Sequence, residues 1–390
     1  MPEATGGEMF PGWERGVTTY PDGVLPYEEI KALIEYEAIT ATRPIDDAQV
    51  QPASLDLRLG DIAYQIRASF LPGPRARVLE AMEGLEIQRF SIEDGAVLQR
   101  DAVYIIPLIE GLNLPGRTFA KANAKSTTGR LDVFARLIVD YGEFFDRVPP
   151  GHVGPLYIEV APKTFNIRVR SGTRLNQLRF LRGVSARSDT SQKATASEAL
   201  VYNAAGEPAS AEVSDGLPFS VDLEGADETG IVGWKALKDA PLIEFDRVNY
   251  YDPLQFWAPI RRPGKRRLIL EKDEFYILGS KERVRVPPAY AAGMLPYDPE
   301  MGELRVHYAG FFDPGFGYGE GGIRGTRAIL EVRSYLVPCA LSHGQRIGRL
   351  VYERLLSVPG KLYGVGATGS SYQHQGRGLG KPFRELAPHS

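Results

Sequence analysis

Cysteine is almost absent: Cys339 is the single one in 390 residues, so no intrachain disulfide can form. That usage fits a reducing compartment, and Cys339 reads as a small packing residue. An excess of positive charge is also missing. The formal net charge is −3, which argues against the broad basic surface that binding a nucleic-acid polymer requires. No run of about 18 apolar residues occurs, so no membrane-spanning helix is expected. The first 25 residues have neither a basic nor an apolar export region. A soluble, cytoplasmic protein is the expectation. Metal-ligand spacing is lacking as well: His152, His307, His343, His374 and His389 are scattered, and no H-x-E or P-C-x-x-C pattern accompanies them. No protein-bound zinc is expected.

What is abundant is punctuation. With 42 glycines and 29 prolines, the chain is cut into short β-branched and aromatic runs such as VYIIPLI, LYIEV, FYIL and AILEV. This is the texture of a mainly β fold. One early helix is predicted from Pro26 to Glu37, where Ile30, Leu33 and Ile34 recur at helical spacing behind Glu28 and Glu29. Residues 185–216 are rich in Ser, Ala, Thr, Asp and Glu and read as a linker or long surface loop. The run Arg261 to Arg267 reads as a solvated hairpin loop.

Either side of that linker the sequence resembles itself. PASLDLRLG from Pro52 is echoed by PFSVDLEG from Pro218. LQRDAVYIIP from Leu98 is echoed by LEKDEFYILG from Leu270, and Glu159 of LYIEV by Glu331 of AILEV. Gly172 of SGTRLNQLRF is echoed by Gly344 of SHGQRIGRLVY, and these last three pairs share one and the same offset in numbering. The division expected is an extension over 1–25, a first repeat over 26–184, a linker over 185–216 and a second repeat over 217–390.

Two segments carry chemistry. Lys125-Ser126-Thr127-Thr128-Gly129-Arg130 combines hydroxyls, a glycine and two cations, the equipment phosphate oxygens need, without the spacing of a Walker loop. PPGHVGPLYIEV leads from a Pro-Gly turn into a strand whose alternation puts Leu156, Ile158 and Val160 on one face and Tyr157 and Glu159 on the other. Glu331 follows the turn Asp313-Pro314-Gly315 in the second copy, with Arg327 and Arg333 on its own face, so a structural ion pair competes with a functional role there.

Taken in order, QPASLDLRLG, the KSTTGR run, the Pro-Gly turn before a strand ending in Glu, and RLNQLRF resemble the dCTP deaminase branch of the dUTPase-like fold. The resemblance covers roughly residues 26–182 and 217–380. It implies two tandem distorted jelly-roll (β-clip) domains with a short N-terminal helix. It implies triphosphate contacts from Lys125, Ser126, Thr127 and Arg130, further substrate contacts from Arg147, Tyr157 and Asp313, and a catalytic glutamate at Glu159 or Glu331. LYGVGATGSSYQHQGRGLGKPF resembles the family's glycine-rich closing arm, with Tyr363, Tyr372 and Gln375 as its nucleotide contacts. The departures are Lys125 for an arginine, Pro149 for the turn's aspartate, Ser371 for a lysine, and Leu295 to Glu300 where the second copy should carry its phosphate motif.

The complementary losses suggest a composite site between repeats, and a homo-oligomer built on such sites is compatible with the pattern. The activity implied is deamination of dCTP to dUTP by a glutamate-activated water, with Mg2+ carried by the triphosphate. A zinc-dependent deaminase mechanism has no ligand set here. A dUTPase-like or bifunctional pyrophosphatase using Asp313 or Asp146, and a non-enzymatic nucleotide-sensing module, remain as alternatives. Glu159 is favoured over Glu331, because Tyr157 shares its face and no neighbouring arginine neutralises it.

Overall fold

The computed structural model describes residues 22–183, 199–203, 206–209, 216–225, 230–296, 304–306, 310–318, 324–334, 337–364 and 378–386. It is mainly β, with three short helices among the described residues. None of them is long and apolar enough to cross a membrane. The first, α1 (Tyr27–Glu35), lies where the periodicity predicts it. Glu28 and Glu29 occupy the first turn, where they complement the helix dipole, and Ile30 and Leu33 are buried.

Each repeat is built on two larger antiparallel sheets; a three-stranded sheet, in which Ile243–Glu244 pairs parallel with Ile167–Val169, links the repeats, and a two-stranded sheet belongs to the second. In the first, β1 (Leu55–Leu57) and β3 (Thr118–Ala124) flank β6 (Asn176–Arg182). The other sheet runs β2 (Val103–Asn113), β5 (Val153–Pro162), β4 (Val133–Val139). The second repeat repeats the order: β7 (Leu217–Ser220), β12 (Arg346–Arg354) and β9 (Tyr290–Pro296) in one sheet, and β8 (Phe275–Val284), β11 (Thr326–Ser334) and β10 (Leu304–Val306) in the other. Val201–Tyr202, inside the segment read as a linker, pairs with β8. The Arg261–Arg267 run is solvated, as expected, but joins strands of different sheets and so is not a hairpin loop. Cys339 is only half-buried.

The common offset recurs in three dimensions. Ile105 stands opposite Glu159 and Ile277 opposite Glu331. The Gln99 amide donates to the Tyr104 hydroxyl at 3.0 Å, and the Glu271 amide to the Tyr276 hydroxyl at 2.9 Å. Gly172 and Gly344 both adopt the positive φ, 85° and 76°, that their tight turns demand. The PASLDLRLG echo is out of register. Leu57 pairs with Asn176 and Phe219 with Gly348, which makes Phe219 the counterpart of Leu57 and separates Asp222 from Asp56. Asp222 instead forms a buried pair with Arg327, and Asp56 pairs with Lys125.

What positions the site is the way the repeats use one equivalent face. Strand alternation sends Ile329, Glu331 and Arg333 of β11 to the face opposite Ala328, Leu330 and Val332. That face is covered by the first repeat: Ile329, Ile277 and Phe275 join one core with Phe165 and Ile167, and Arg333 donates to Asp132 and, at 2.8 Å, to Thr164. In the first repeat the matching face, carrying Ile105, Tyr157 and Glu159, is covered by its own chain. Val78 and Met82, in and just after the short helix α2 (Val78–Ala81), pack there against Ile66, Ile105, Ile138 and Tyr157.

Candidate active site

The KSTTGR run folds into a single helical turn, α3 (Ser126–Arg130), after β3. Two bonds tie the turn to the entrance of β6: the Lys125 amide donates to Leu175 O at 2.9 Å and Thr128 Oγ1 donates to the same carbonyl at 2.7 Å. Lys125, Ser126, Thr127 and Arg130 therefore share one wall of a cleft of about 560 Å3. Lys125 is held by Asp56, and Arg130 donates to Gly378 O at 2.9 Å from the far end of the chain. Arg174 and Gln177 continue this wall, and Lys361, Lys381 and Arg247 add further cations.

The opposite wall belongs to the second repeat. Phe311 and Phe312 reach the cleft from a two-residue strand paired with β9 and Asp313 from the turn that follows, Ile329 and Glu331 from β11, and Phe316 and Tyr363 pack nearby at 5.7 Å between ring centroids. Burial pushes the Glu331 carboxyl up to about 8 from 4.5. Arg130 beside it pulls the other way, and Asp132 adds to the rise. Burial also raises the Asp313 carboxyl, against the pull of Arg179 and Lys125. It lowers the Lys381 ammonium, which shares its neighbourhood with Lys125. A carboxyl that ionises near neutral pH can both accept and return a proton at one place.

Seven of the residues expected at a site thus come together: Lys125, Ser126, Thr127, Arg130, Asp313, Glu331 and Tyr363. The two arginines expected to compete for Glu331 are engaged elsewhere, Arg327 with Asp222 and Arg333 with Asp132. Glu159 lies outside the cleft. It is 2% exposed, and Arg136, on the adjacent strand β4, donates to it at 3.0 Å. The expectation that no arginine neutralises Glu159 is therefore corrected; the partner comes from the next strand, not from its own. Tyr157 is buried in the core under α2, away from the cleft, and Arg147 stacks its guanidinium over Phe144 at 4.8 Å instead of lining it. Tyr372 and Gln375 lie outside the described residues. Asp56, Arg174 and Gln177 were missed, although they stand within PASLDLRLG and SGTRLNQLRF, whose repetition marked them. Phe311, Phe312 and Phe316 read in sequence only as apolar positions.

Cations on one wall, with aromatic rings and a protonatable buried carboxyl on the other, define a site for an anionic substrate that also carries a ring. The comparisons give this class a family. The model of the 2'-deoxycytidine 5'-triphosphate deaminase N-terminal domain matches residues 21–184, and that of the C-terminal domain residues 187–383. The chain belongs to the 2'-deoxycytidine 5'-triphosphate deaminase family. It is similar to the crystal structure of 2'-deoxycytidine 5'-triphosphate deaminase from Agrobacterium tumefaciens, with a TM-score of 0.80 and 46% identity, over 87% of this chain and 100% of that one. Curated relatives match a shorter stretch. The dUMP-forming dCTP deaminase of Coprothermobacter proteolyticus is 28% identical over 154 residues, 39% of this chain and 77% of its own. That of Methanobrevibacter smithii is 30% identical over 162 residues, 40% of this chain and 76% of its own.

Proposed function

We propose that the chain converts dCTP and water to dUTP and ammonia, with Glu331 as the proton-transferring group and the first repeat as the triphosphate holder. The observation that carries this reading is Glu331 itself: a buried carboxyl poised near neutral pH, in the same cleft as the KSTTGR cations. Ionised Glu331 takes a proton from water as its oxygen attacks C4 of the cytosine. It then delivers that proton to ring N3, takes the remaining proton from the new C4 hydroxyl and passes it to the departing nitrogen, so that the C4–N bond breaks to leave ammonia and the C4 carbonyl. Lys125, Ser126, Thr127 and Arg130 hold the phosphate oxygens by charge and short donors. Phe311, Phe312 and Tyr363 supply flat apolar surface for the base. Mg2+ travels with the triphosphate in this reading.

Glu159, favoured on sequence grounds, is replaced in the proposal, because it lies outside the cleft, one of its oxygens accepts from Arg136, and its face is closed by the first repeat's own residues. In this reading each chain carries one catalytic centre, built from both repeats. We read each repeat's two larger sheets as the family's distorted jelly roll, divided at a linker after residue 184.

Asp313 supports a second reading, in which the same cleft also cleaves the triphosphate. Its Oδ1 is buried at the cleft without a hydrogen bond, and the two curated relatives are named dUMP-forming. Asp146 does not share this position: it lies half-buried in the first repeat, outside the cleft, and accepts from the Leu137 amide at 2.8 Å. Incubation with dCTP and Mg2+ separates the readings. Ammonia with dUTP supports deamination alone, ammonia with dUMP and pyrophosphate supports the bifunctional form, and tight binding without either product sinks both and leaves a nucleotide sensor.

A further inference from the structure

The two Pro-Gly turns differ in the residue two positions before the turn begins. In the first repeat Arg147 pairs with Lys121, and in the second Phe311 pairs with Gly293, which follows Lys121 by the common offset of the repeats. Phe311 therefore stands in the place of Arg147, and the turn that enters the cleft, Asp313-Pro314-Gly315, has no arginine of its own there. A guanidinium nevertheless lies against Phe311. Arg179 of β6 lies with its carbon centre 4.1 Å over the Phe311 ring, and its side chain is 0% exposed.

Arg179 comes from the other repeat. It donates to Ala292 O at 3.0 Å and to Phe312 O at 3.3 Å, and it sits 3.5 Å from Asp313 and 3.8 Å from Glu353. Every one of these partners is a second-repeat residue, and Phe311, Phe312 and Asp313 line the cleft. Two residues earlier on the same strand, and on the same face by alternation, Gln177 lines the opposite wall. One rigid strand therefore spans both walls. A fully buried arginine that serves two carbonyls, two carboxylates and a ring has a planar fork that a lysine cannot reproduce. Its contact with Asp313 is too long for a good hydrogen bond, so that carboxylate keeps Oδ1 free of one.

We propose that Arg179 is a positioning residue that sets the Asp313 carboxylate and the Phe311 ring against bound nucleotide, replacing across the repeat boundary the arginine that the second turn lacks. It acts through these two residues and touches no reacting atom. The proposal rests on the reading of the cleft as the dCTP site. Failure of that reading would show as absent dCTP binding in the unaltered chain, a result independent of any variant.

The test measures dCTP affinity by calorimetry, dCTP turnover and thermal midpoint for the full chain. Arg179→Lys keeps the charge near Asp313 and Glu353 but loses the fork. It should weaken dCTP at least tenfold while folding cooperatively, and in an Asp313→Asn background the same change should cost no more than twofold further. Equal losses from Arg179→Lys in the two backgrounds would overturn the proposal, as would unchanged dCTP affinity in a folded Arg179→Lys chain. Arg179→Gln, which keeps a planar amide against the Phe311 ring, is the second variant and should weaken dCTP likewise; if both variants lose the cooperative transition, Arg179 serves stability alone and the proposal falls.

Discussion

Replacing Glu331 by glutamine is the most informative single change, because it alters chemistry and pH-dependent stability in opposite directions. In the folded chain Glu331 is 5% exposed, and its carboxyl is pushed up to about 8 from 4.5, mainly by burial. Between those values the folded protein holds a proton that the unfolded chain has released. Unfolding therefore becomes easier as pH rises through that window, and the effect levels off above pH 8. The gap caps the loss at about 5 kcal/mol, at about 1.4 kcal/mol per pH unit. Water reaching the open cleft and the nearby Arg130 charge reduce the expected figure to roughly 2–3 kcal/mol. Glutamine fills the same volume and is neutral at every pH. Glu331→Gln should therefore match the unaltered protein near pH 5 and exceed its stability by roughly 2–3 kcal/mol at pH 8.5. It should also bind dCTP and release ammonia about a hundred- to ten-thousand-fold more slowly. Urea unfolding at fixed ionic strength from pH 5 to 9, with ammonia release measured in parallel, provides both readings. Parallel stability curves would show that Glu331 titrates at its ordinary value. Retained turnover would remove it from the reaction.

Arg130→Ala should weaken dCTP by roughly 1.5–3 kcal/mol, the range for hydrogen bonds to charged groups. Because Arg130 pulls the Glu331 carboxyl down, its loss should also move the acid limb of the activity profile to higher pH; an unmoved limb in steady-state assays would place the arginine too far away to matter. Glu159→Gln should keep turnover near that of the unaltered chain and lose about 1–3 kcal/mol of stability, since a buried acceptor of Arg136 loses its charge. A folded but inactive Glu159→Gln protein would return the catalytic role to the first repeat. Turnover should survive a zinc-selective chelator and fall when Mg2+ is withdrawn; stoichiometric zinc whose removal abolishes activity would contradict a proton-transfer mechanism resting on Glu331.

The sequence by itself determined the parts of this protein that depend on near neighbours. Alternating runs cut by glycine and proline specify strands, because a strand's side chains repeat every two residues and its turns need special backbone angles. Repetition at a constant offset fixed the two-repeat plan, and the same offset returns in the Tyr104 and Tyr276 hydroxyl bonds and in the paired glycine turns. The KSTTGR run was legible as a cluster of cations and hydroxyls for the same reason, since one helical turn gathers charge, hydroxyls and glycine in a single short stretch. Alternation could also say that Glu159 and Glu331 occupy equivalent faces. It could not say what covers each face. In the first repeat α2 and Arg136 close it, and in the second the first repeat leaves a cleft between the two, so one glutamate is neutralised and its twin has its carboxyl pushed up to about 8. Arg179 was unreadable on the same grounds: its partners Ala292, Phe312, Asp313 and Glu353 all belong to the other repeat, far along the chain, and only packing brings them within reach. Local rules govern angle and alternation, whereas desolvation and charge pairing are set by whichever distant side chain arrives, which the tertiary structure alone decides.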